Sequence, residues 1–397
     1  MTRSRLLTIF SAAAVFLACV MLPCVLSAET VTDNEFEYEL DIPEGFKVIG
    51  YTPDGMSYQF KHDRVPVELV LKLYSTDVYP DSNSSLKGTL SKLSATYDEI
   101  DNFVWRNANC SITIFDSKVL SNKGSTGWAV SVNLASKNAN LVLLCYADQD
   151  KANDLEQFII STLNSLAIDR GSFYSPGIIT TYAFPETSRK SVNLNIAGKR
   201  IQTTVDTEDS QANEFVIACE YAVLTLYADN EKWKEAWIRY YKAIFRDSYS
   251  RMSKVAFDIN SVLFPVAVKR NPKHPEEEIN AMLLDWVQNF EYVRQADKKS
   301  TDFTNVIDAV SGFGSDCDSR SMLMCILMKH LGVNTALFIS REYSHAVYGV
   351  LLNQEGAKIE IDGSWYLLNE TTARGIKPGL IAQEQSDTEK WIPVPLN

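Results

Sequence analysis

The chain has 397 residues, 38 Lys and Arg against 50 Asp and Glu, a formal net charge of −12, and 46% hydrophobic residues. That length suits two cores of roughly 100 to 200 residues each better than one. The acidic balance argues against a nucleic-acid partner, whose phosphates need a basic face.

The first 28 residues read as an export signal. Arg3 and Arg5 precede the apolar stretch Leu6 to Leu26, and small residues follow at Ser27 and Ala28. Removing that segment would leave 36 basic against 50 acidic side chains, a net charge of −14. The expectation is an exported, periplasmic or extracellular protein. A retained membrane anchor is the runner-up, and "FLAC" at 16–19 loosely matches a lipoprotein acylation box, but the residues after Cys19 stay apolar and disfavour acylation. No later run predicts a membrane span, because "INSVLFPVAV" at 259–268 is too short.

From Glu35 to Asp169 the pattern predicts a first domain (30–169) of mixed strands and helices. "EFEYELDIPEGF" and "MSYQF" alternate apolar and polar residues, while "VELVLKLY", "NCSITIF", "GWAVSVNLA" and "NLVLLCYA" read as further strands. "DLEQFIISTLNSL" closes the domain as an amphipathic helix. On "LDIPEGFKVI" and that helix, the domain loosely resembles small exported α+β domains of the PsbP and Mog1 type. Its one histidine, His62, stands in the charged string "KHDR" and is expected to be solvated.

"DRGSFYSPG" at 169–177 concentrates turn formers and marks the boundary to a second domain, 178–397. A hairpin turning near Gly198 and two helices come next. Trp233, Trp237, Tyr241 and Ile244 recur at helical spacing, and core packing is preferred over a ligand-binding aromatic box for that face. "NPKHPEEEINAMLLDWVQNFEYV" then gives a proline-punctuated, acid-led helix start, with Ile279, Met282, Leu283, Trp286, Val287 and Phe290 on one face. His274, between prolines, is expected to be exposed.

Five cysteines lie beyond the signal: Cys110, Cys145, Cys219, Cys317 and Cys325. An odd number in an oxidising compartment leaves at least one thiol unpaired; Cys110 and Cys145 are the candidates for a bridge. Spacing gives no metal pattern, and neither a metal nor another cofactor is expected.

Cys317 has the placement a nucleophile needs. Asp316 suits a helix N-cap, and "SRSMLMCILMKHL" continues as a largely apolar helix, so backbone N–H groups and the helix dipole favour a thiolate there. Asp316 and Asp318 oppose ionisation, so an imidazolium must help. His330 is 13 residues along the same helix, roughly 20 Å at 1.5 Å per residue, and cannot reach. His345, at the entry of the strand "SHAVYGV" after the strand "LGVNTALFI", is left as the base. Glu370, at the end of the strand in "SWYLLNETT", is the candidate orienting acid. If Asp362 and Gly363 form a bulge, His345 and Glu370 fall opposite each other across a long hairpin; a tight turn would separate them. Cys219 and Cys325 sit in apolar runs and read as core.

This order of motifs over about 279–379 resembles the core of the transglutaminase-like superfamily: a helix ending near a Tyr, a G-D-C at a helix start ending in L-G, an H-A strand, and a tryptophan-led strand running into D-P-T. The resemblance implies a papain-like α+β core, with Cys317 as nucleophile, His345 as base and Glu370 as orienting acid. It makes Tyr292 the candidate oxyanion contributor. It also implies amide hydrolysis or acyl transfer through an acyl-enzyme, on a peptide or protein substrate that includes cell-wall peptide among the options. Departures are Ser315 between Gly314 and Asp316, Val347 in place of a tryptophan, and Glu for Asp. They leave open a catalytically silent envelope protein that binds peptide, glycan or a partner protein.

Overall fold

A computed structural model describes residues 30–294 and 301–396; the expected export signal lies outside the described residues. The fold mixes helix and antiparallel sheet throughout, as the α+β expectation requires.

The N-terminal part runs β1 (Thr30–Asp33), β2 (Tyr38–Asp41), β3 (Phe46–Tyr51), β4 (Ser57–His62), β5 (Val67–Ser75), α1 (Ser82–Lys92), β6 (Asp101–Trp105), β7 (Ala108–Ser117), β8 (Ser125–Leu134), β9 (Ala139–Asp148), α2 (Glu156–Asn164) and β10 (Leu166–Ala167). Strands β3 to β9 form a seven-stranded sheet in the order β3-β4-β5-β9-β8-β7-β6, and β1-β2-β10 form a small second sheet. Strand β9 is buried over almost its whole length because α1 and α2 cover opposite faces of its sheet, which explains why "NLVLLCYA" is continuously apolar rather than alternating.

The C-terminal part continues with α3 (Ile178–Ala183), the hairpin β11 (Arg189–Ile196) and β12 (Lys199–Asp206), then α4 (Asp209–Thr225), α5 (Trp233–Arg251), α6 (Ser253–Arg270), α7 (Pro275–Gln288), α8 (Val306–Val310) and α9 (Cys317–His330). Strands β13 (Thr335–Ser340), β14 (His345–Val350), β15 (Lys358–Ile361), β16 (Ser364–Asn369) and β17 (Ile392–Pro395) complete a five-stranded sheet in the order β15-β16-β14-β13-β17. Helix α9 packs on β13 and β14 through a side that is almost wholly buried. The β11–β12 hairpin turns at Ala197 and Gly198, both with positive φ, as its sequence predicts.

Several sequence expectations are corrected. Three helices, not two, follow the hairpin before the proline-led α7: α6 starts right after α5 ends and carries Pro265 inside it. His62 is buried at 4% exposure rather than solvated. Its Nδ1 accepts from the Arg64 and Val65 amides at 3.2 and 2.9 Å, and its Nε2 bonds the Glu44 carbonyl at 2.8 Å beside the Tyr227 hydroxyl of α4's end. The charged string masks this, since the partner that encloses it lies 165 residues away. Cys110 and Cys145 are free and buried, on β7 and β9 with β8 between them.

The segment 169–177 separates the sheets but not the cores. Ile178 and Ile179 of α3, Cys219 and Val223 of α4, Tyr227, and Ala236 of α5 all pack into the apolar cluster of the first sheet.

Candidate functional site

Helix α9 begins at Cys317 because Asp316 caps it: extended backbone at Asp316 lets its carboxylate accept from the Ser319 amide and hydroxyl. The approach to this cap is tight, and a Cβ on Gly314 would lie 2.1 Å from Val293 Cγ2. Cys317 is 5% exposed and donates its S–H to Asp318 Oδ1 at 3.1 Å, while the Tyr241 hydroxyl of α5 donates to Asp318 Oδ2.

His345 opens β14, directly opposite Ser340 of β13. Its Nε2 bonds Glu370 Oε2 at 2.7 Å. The other carboxylate oxygen accepts from the Thr372 amide and hydroxyl, each at 2.6 Å. Burial alone would raise the Glu370 carboxyl, but the His345 bond, the imidazole charge and the Thr372 donors outweigh it and hold the group down at about 2. An ionised Glu370 accepts, so the imidazole proton sits on Nε2 and leaves Nδ1 bare when the ring is neutral.

The turn logic of the sequence fails here in an instructive way. Asp362 and Gly363, with φ of +48 and +80, do form a tight turn between β15 and β16. His345 and Glu370 still meet, because β16 pairs on its other side with β14, with Asn369 opposite Tyr348.

Cys317 and His345 line one cavity of about 410 Å³. Glu370 stands behind His345, outside the cavity lining. Tyr292 does not line the cavity either; it bridges to Ser315, is half exposed, and lies with its ring 5.5 Å from the Arg320 guanidinium. His330, as expected, is elsewhere, stacked on Tyr249 at 3.9 Å and bonded to its carbonyl. Among the described residues no group of three or more His, Cys, Asp or Glu is placed to hold a metal ion.

The electrostatics of the resting site oppose a thiolate. Burial pushes the Cys317 thiol up strongly, the Asp318 and Asp316 charges add to it, and the Ala346 backbone pulls weakly the other way. Asp316 is itself pushed up to about 8 by burial and by Asp318, so the two carboxylates do not both ionise near neutral pH.

Sequence reasoning missed several groups at the site. Half-buried Trp233 and Trp237 form a cavity wall with Tyr240 and Tyr241, so the α5 face that packs into the core from Trp237 to Ile244 also borders a cavity. The spacing had shown the stripe but not what it faces. Gln288, buried at the end of α7, donates to the Glu370 and Ile376 carbonyls at 2.8 and 2.9 Å and so fixes the loop carrying the acid. Fully buried Arg320, one turn after Cys317, binds the Phe290 and Ser315 carbonyls at 3.0 and 3.2 Å.

No family model and no curated protein matches the chain. Among solved structures it is similar to the Saccharomyces cerevisiae Ran-binding protein Mog1p, at 10% identity over 35% of this chain and 94% of that one, with a TM-score of 0.28. It is likewise similar to cyanobacterial PsbP from Synechocystis sp. PCC 6803, at 10% identity over 37% and 96%, TM-score 0.31. A third likeness is to a Bacteroides thetaiotaomicron VPI-5482 crystal structure, at 7% identity over 55% and 76%, TM-score 0.20. At these TM-scores nothing about function follows.

Proposed function

We propose that the chain is an exported cysteine-dependent enzyme of the transglutaminase-like type, with a papain-like core in its C-terminal part, that cleaves peptide or amide bonds through Cys317, His345 and Glu370. The observation that carries this reading is the 2.7 Å bond between His345 and Glu370, with that imidazole and the helix-starting Cys317 in one cavity.

The chemistry would run as follows. His345 Nδ1, without a partner among the described residues, takes the thiol proton as the sulfur attacks the carbonyl carbon. The carbonyl oxygen becomes an oxyanion, held by the Cys317 N–H and by a second donor. Tyr292 is the candidate for that donor on motif order alone, since it stands outside the cavity lining. The C–N bond then breaks, the amine leaves with the His345 proton, and water releases the acyl group with His345 as base. An amine in place of that water would give acyl transfer. Glu370 keeps the ring in the required tautomer and stabilises its cation.

One observation favours a second reading, a silent binding protein: burial and the Asp318 carboxylate that accepts its proton keep the thiol protonated. Iodoacetamide labelling with peptide mapping, followed by a screen of peptide amides, glutamine-containing peptides and cell-wall stem peptides, separates the two. The enzyme reading expects Cys317 to be modified ahead of Cys110, Cys145, Cys219 and Cys325, and a substrate to be consumed by wild type but not by Cys317→Ala. If another thiol reacts first, the nucleophile assignment falls. If both proteins bind a partner equally and neither consumes an acyl substrate, the binding reading replaces it.

A further inference from the structure

The charged side chains lining the cavity over Cys317 are Arg294, Asp302, Asp316, Asp318, Arg341 and His345. Five of the six are engaged. Arg294 pairs with Asp302 at 2.7 Å, Asp316 caps α9, Asp318 accepts from Cys317 and Tyr241, and His345 holds Glu370. Arg341 alone has no hydrogen bond or ion pair to its guanidinium among the described residues. It lies 5.3 Å from the centre of the Trp233 ring, so its plane is steadied by the aromatic wall while its N–H donors stay open.

Its place in the chain ties it to the chemistry. Arg341 follows Ser340, the cross-strand partner of His345, and the turn 341–344 is closed by the Ser344 amide on the Arg341 carbonyl at 3.3 Å. A strand pair and one chain step separate the two backbones by roughly 9 Å at most. Cys317 and Arg341 line the same cavity of about 410 Å³, so one short peptide-like ligand can meet both the sulfur and the guanidinium. A guanidinium fork on a ring is suited to a planar carboxylate, which it can hold by two parallel hydrogen bonds. Two of the three lining acids are offset, Asp302 by its pair with Arg294 and Asp316 by burial that pushes it up to about 8, while Asp318 turns its carboxylate to the Cys317 thiol and the Tyr241 hydroxyl.

We propose that Arg341 docks a carboxylate of the substrate, so that the cavity takes a short peptide-like acyl compound bearing a free carboxylate near the carbonyl that Cys317 attacks. This rests on the nucleophile assignment made above, and the test tells the two apart.

N-iodoacetyl-glycine and N-iodoacetyl-glycylglycine, each beside its carboxamide, report both at once. Alkylation forms the S–C bond, expels iodide and releases the thiol proton to solvent. Rates at Cys317 are followed by peptide mapping and divided by those for glutathione. At least one free acid should react about tenfold or more faster than its amide, the size of one charge-assisted hydrogen bond. Arg341→Gln should bring the ratio of acid to amide to about one, and Arg341→Lys should keep part of it. Equal rates for acid and amide at both lengths, or a ratio that survives Arg341→Gln, would overturn carboxylate docking and leave the nucleophile standing. Cys317 left unmodified by every reagent would remove the nucleophile and the docking together. N-acetylglycine should protect Cys317 better than inorganic phosphate at equal concentration; the reverse order would overturn the choice of carboxylate over phosphate.

Discussion

Replacing Asp318 with asparagine should make Cys317 more reactive, although the residue sits at the heart of the proposed active site. The carboxylate accepts the thiol proton at 3.1 Å, and its charge is the second largest cause, after burial, of the raised thiol. Coulomb's law at an effective dielectric of 20 gives about 5 kcal/mol for a unit charge at that separation, or roughly four pH units. Asparagine keeps the shape and can still accept from Tyr241, but removes the charge. Because a less basic thiolate is also a weaker nucleophile, with a slope of about 0.4 to 0.5, four units of thiolate gained become about a hundredfold in rate. The assay is iodoacetamide alkylation at pH 7, followed at Cys317 by mass spectrometry, with Cys325 as internal reference. A rate within about threefold of wild type would show that the Asp318 charge does not govern the sulfur, and the electrostatic account of the resting site would fail.

Three further outcomes are expected. Once a substrate is found, Cys317→Ala should abolish turnover while Glu370→Gln leaves a measurable remainder, because an orienting acid contributes less than the nucleophile; kcat for the two variants decides this. The Glu370 carboxyl, held at about 2 against an ordinary 4.5, contributes about 3 kcal/mol of stability. Since its folded value is depressed, that contribution is present above pH 4.5 and lost as pH falls toward 2. Urea unfolding of wild type and Glu370→Gln should therefore differ at pH 6 and converge near pH 2, and a constant difference would refute the assignment. Gly314→Ala must push Val293 aside from 2.1 Å and should cost about 1 to 3 kcal/mol, read as a lower thermal midpoint with slower Cys317 labelling.

What was legible in the sequence was local. Asp316 before an apolar run specifies the start of α9, so the Cys317 position follows from capping alone. The meeting of His345 with Glu370 followed from motif order, yet the route inferred for it was wrong. The bulge-or-turn choice at Asp362 considered one hairpin, whereas the juxtaposition is set by a third strand pairing that no short window contains. His62 was misjudged for the same reason, and Trp237, which does pack on the core, also borders a cavity that was not foreseen. Composition around His62 says solvent, and periodicity around Trp237 says core, but Tyr227 closes over the first and a cavity opens beside the second. Only the register of distant elements decides such cases. Gln288 and Arg320 were overlooked because a polar residue on a helix reads as surface, whereas these two are buried against backbone carbonyls of the site loops.

The shared packing of α4 and α5 sets how this chain can be taken apart. A fragment beginning at Ile178 would leave Ile178, Ile179, Cys219, Val223, Tyr227 and Ala236 as a bare apolar strip, with Glu44 and His62 no longer there to meet the Tyr227 hydroxyl. Ala236 on that strip lies one turn before Tyr240 and Tyr241, which wall the cavity, and the Tyr241 hydroxyl holds Asp318. The N-terminal sheet is thus the scaffold on which the aromatic wall hangs, and expression of the C-terminal half alone should yield an aggregating product with a collapsed cavity. Any shuffling of the two halves among other proteins would have to carry α3 to α5 along with the first sheet.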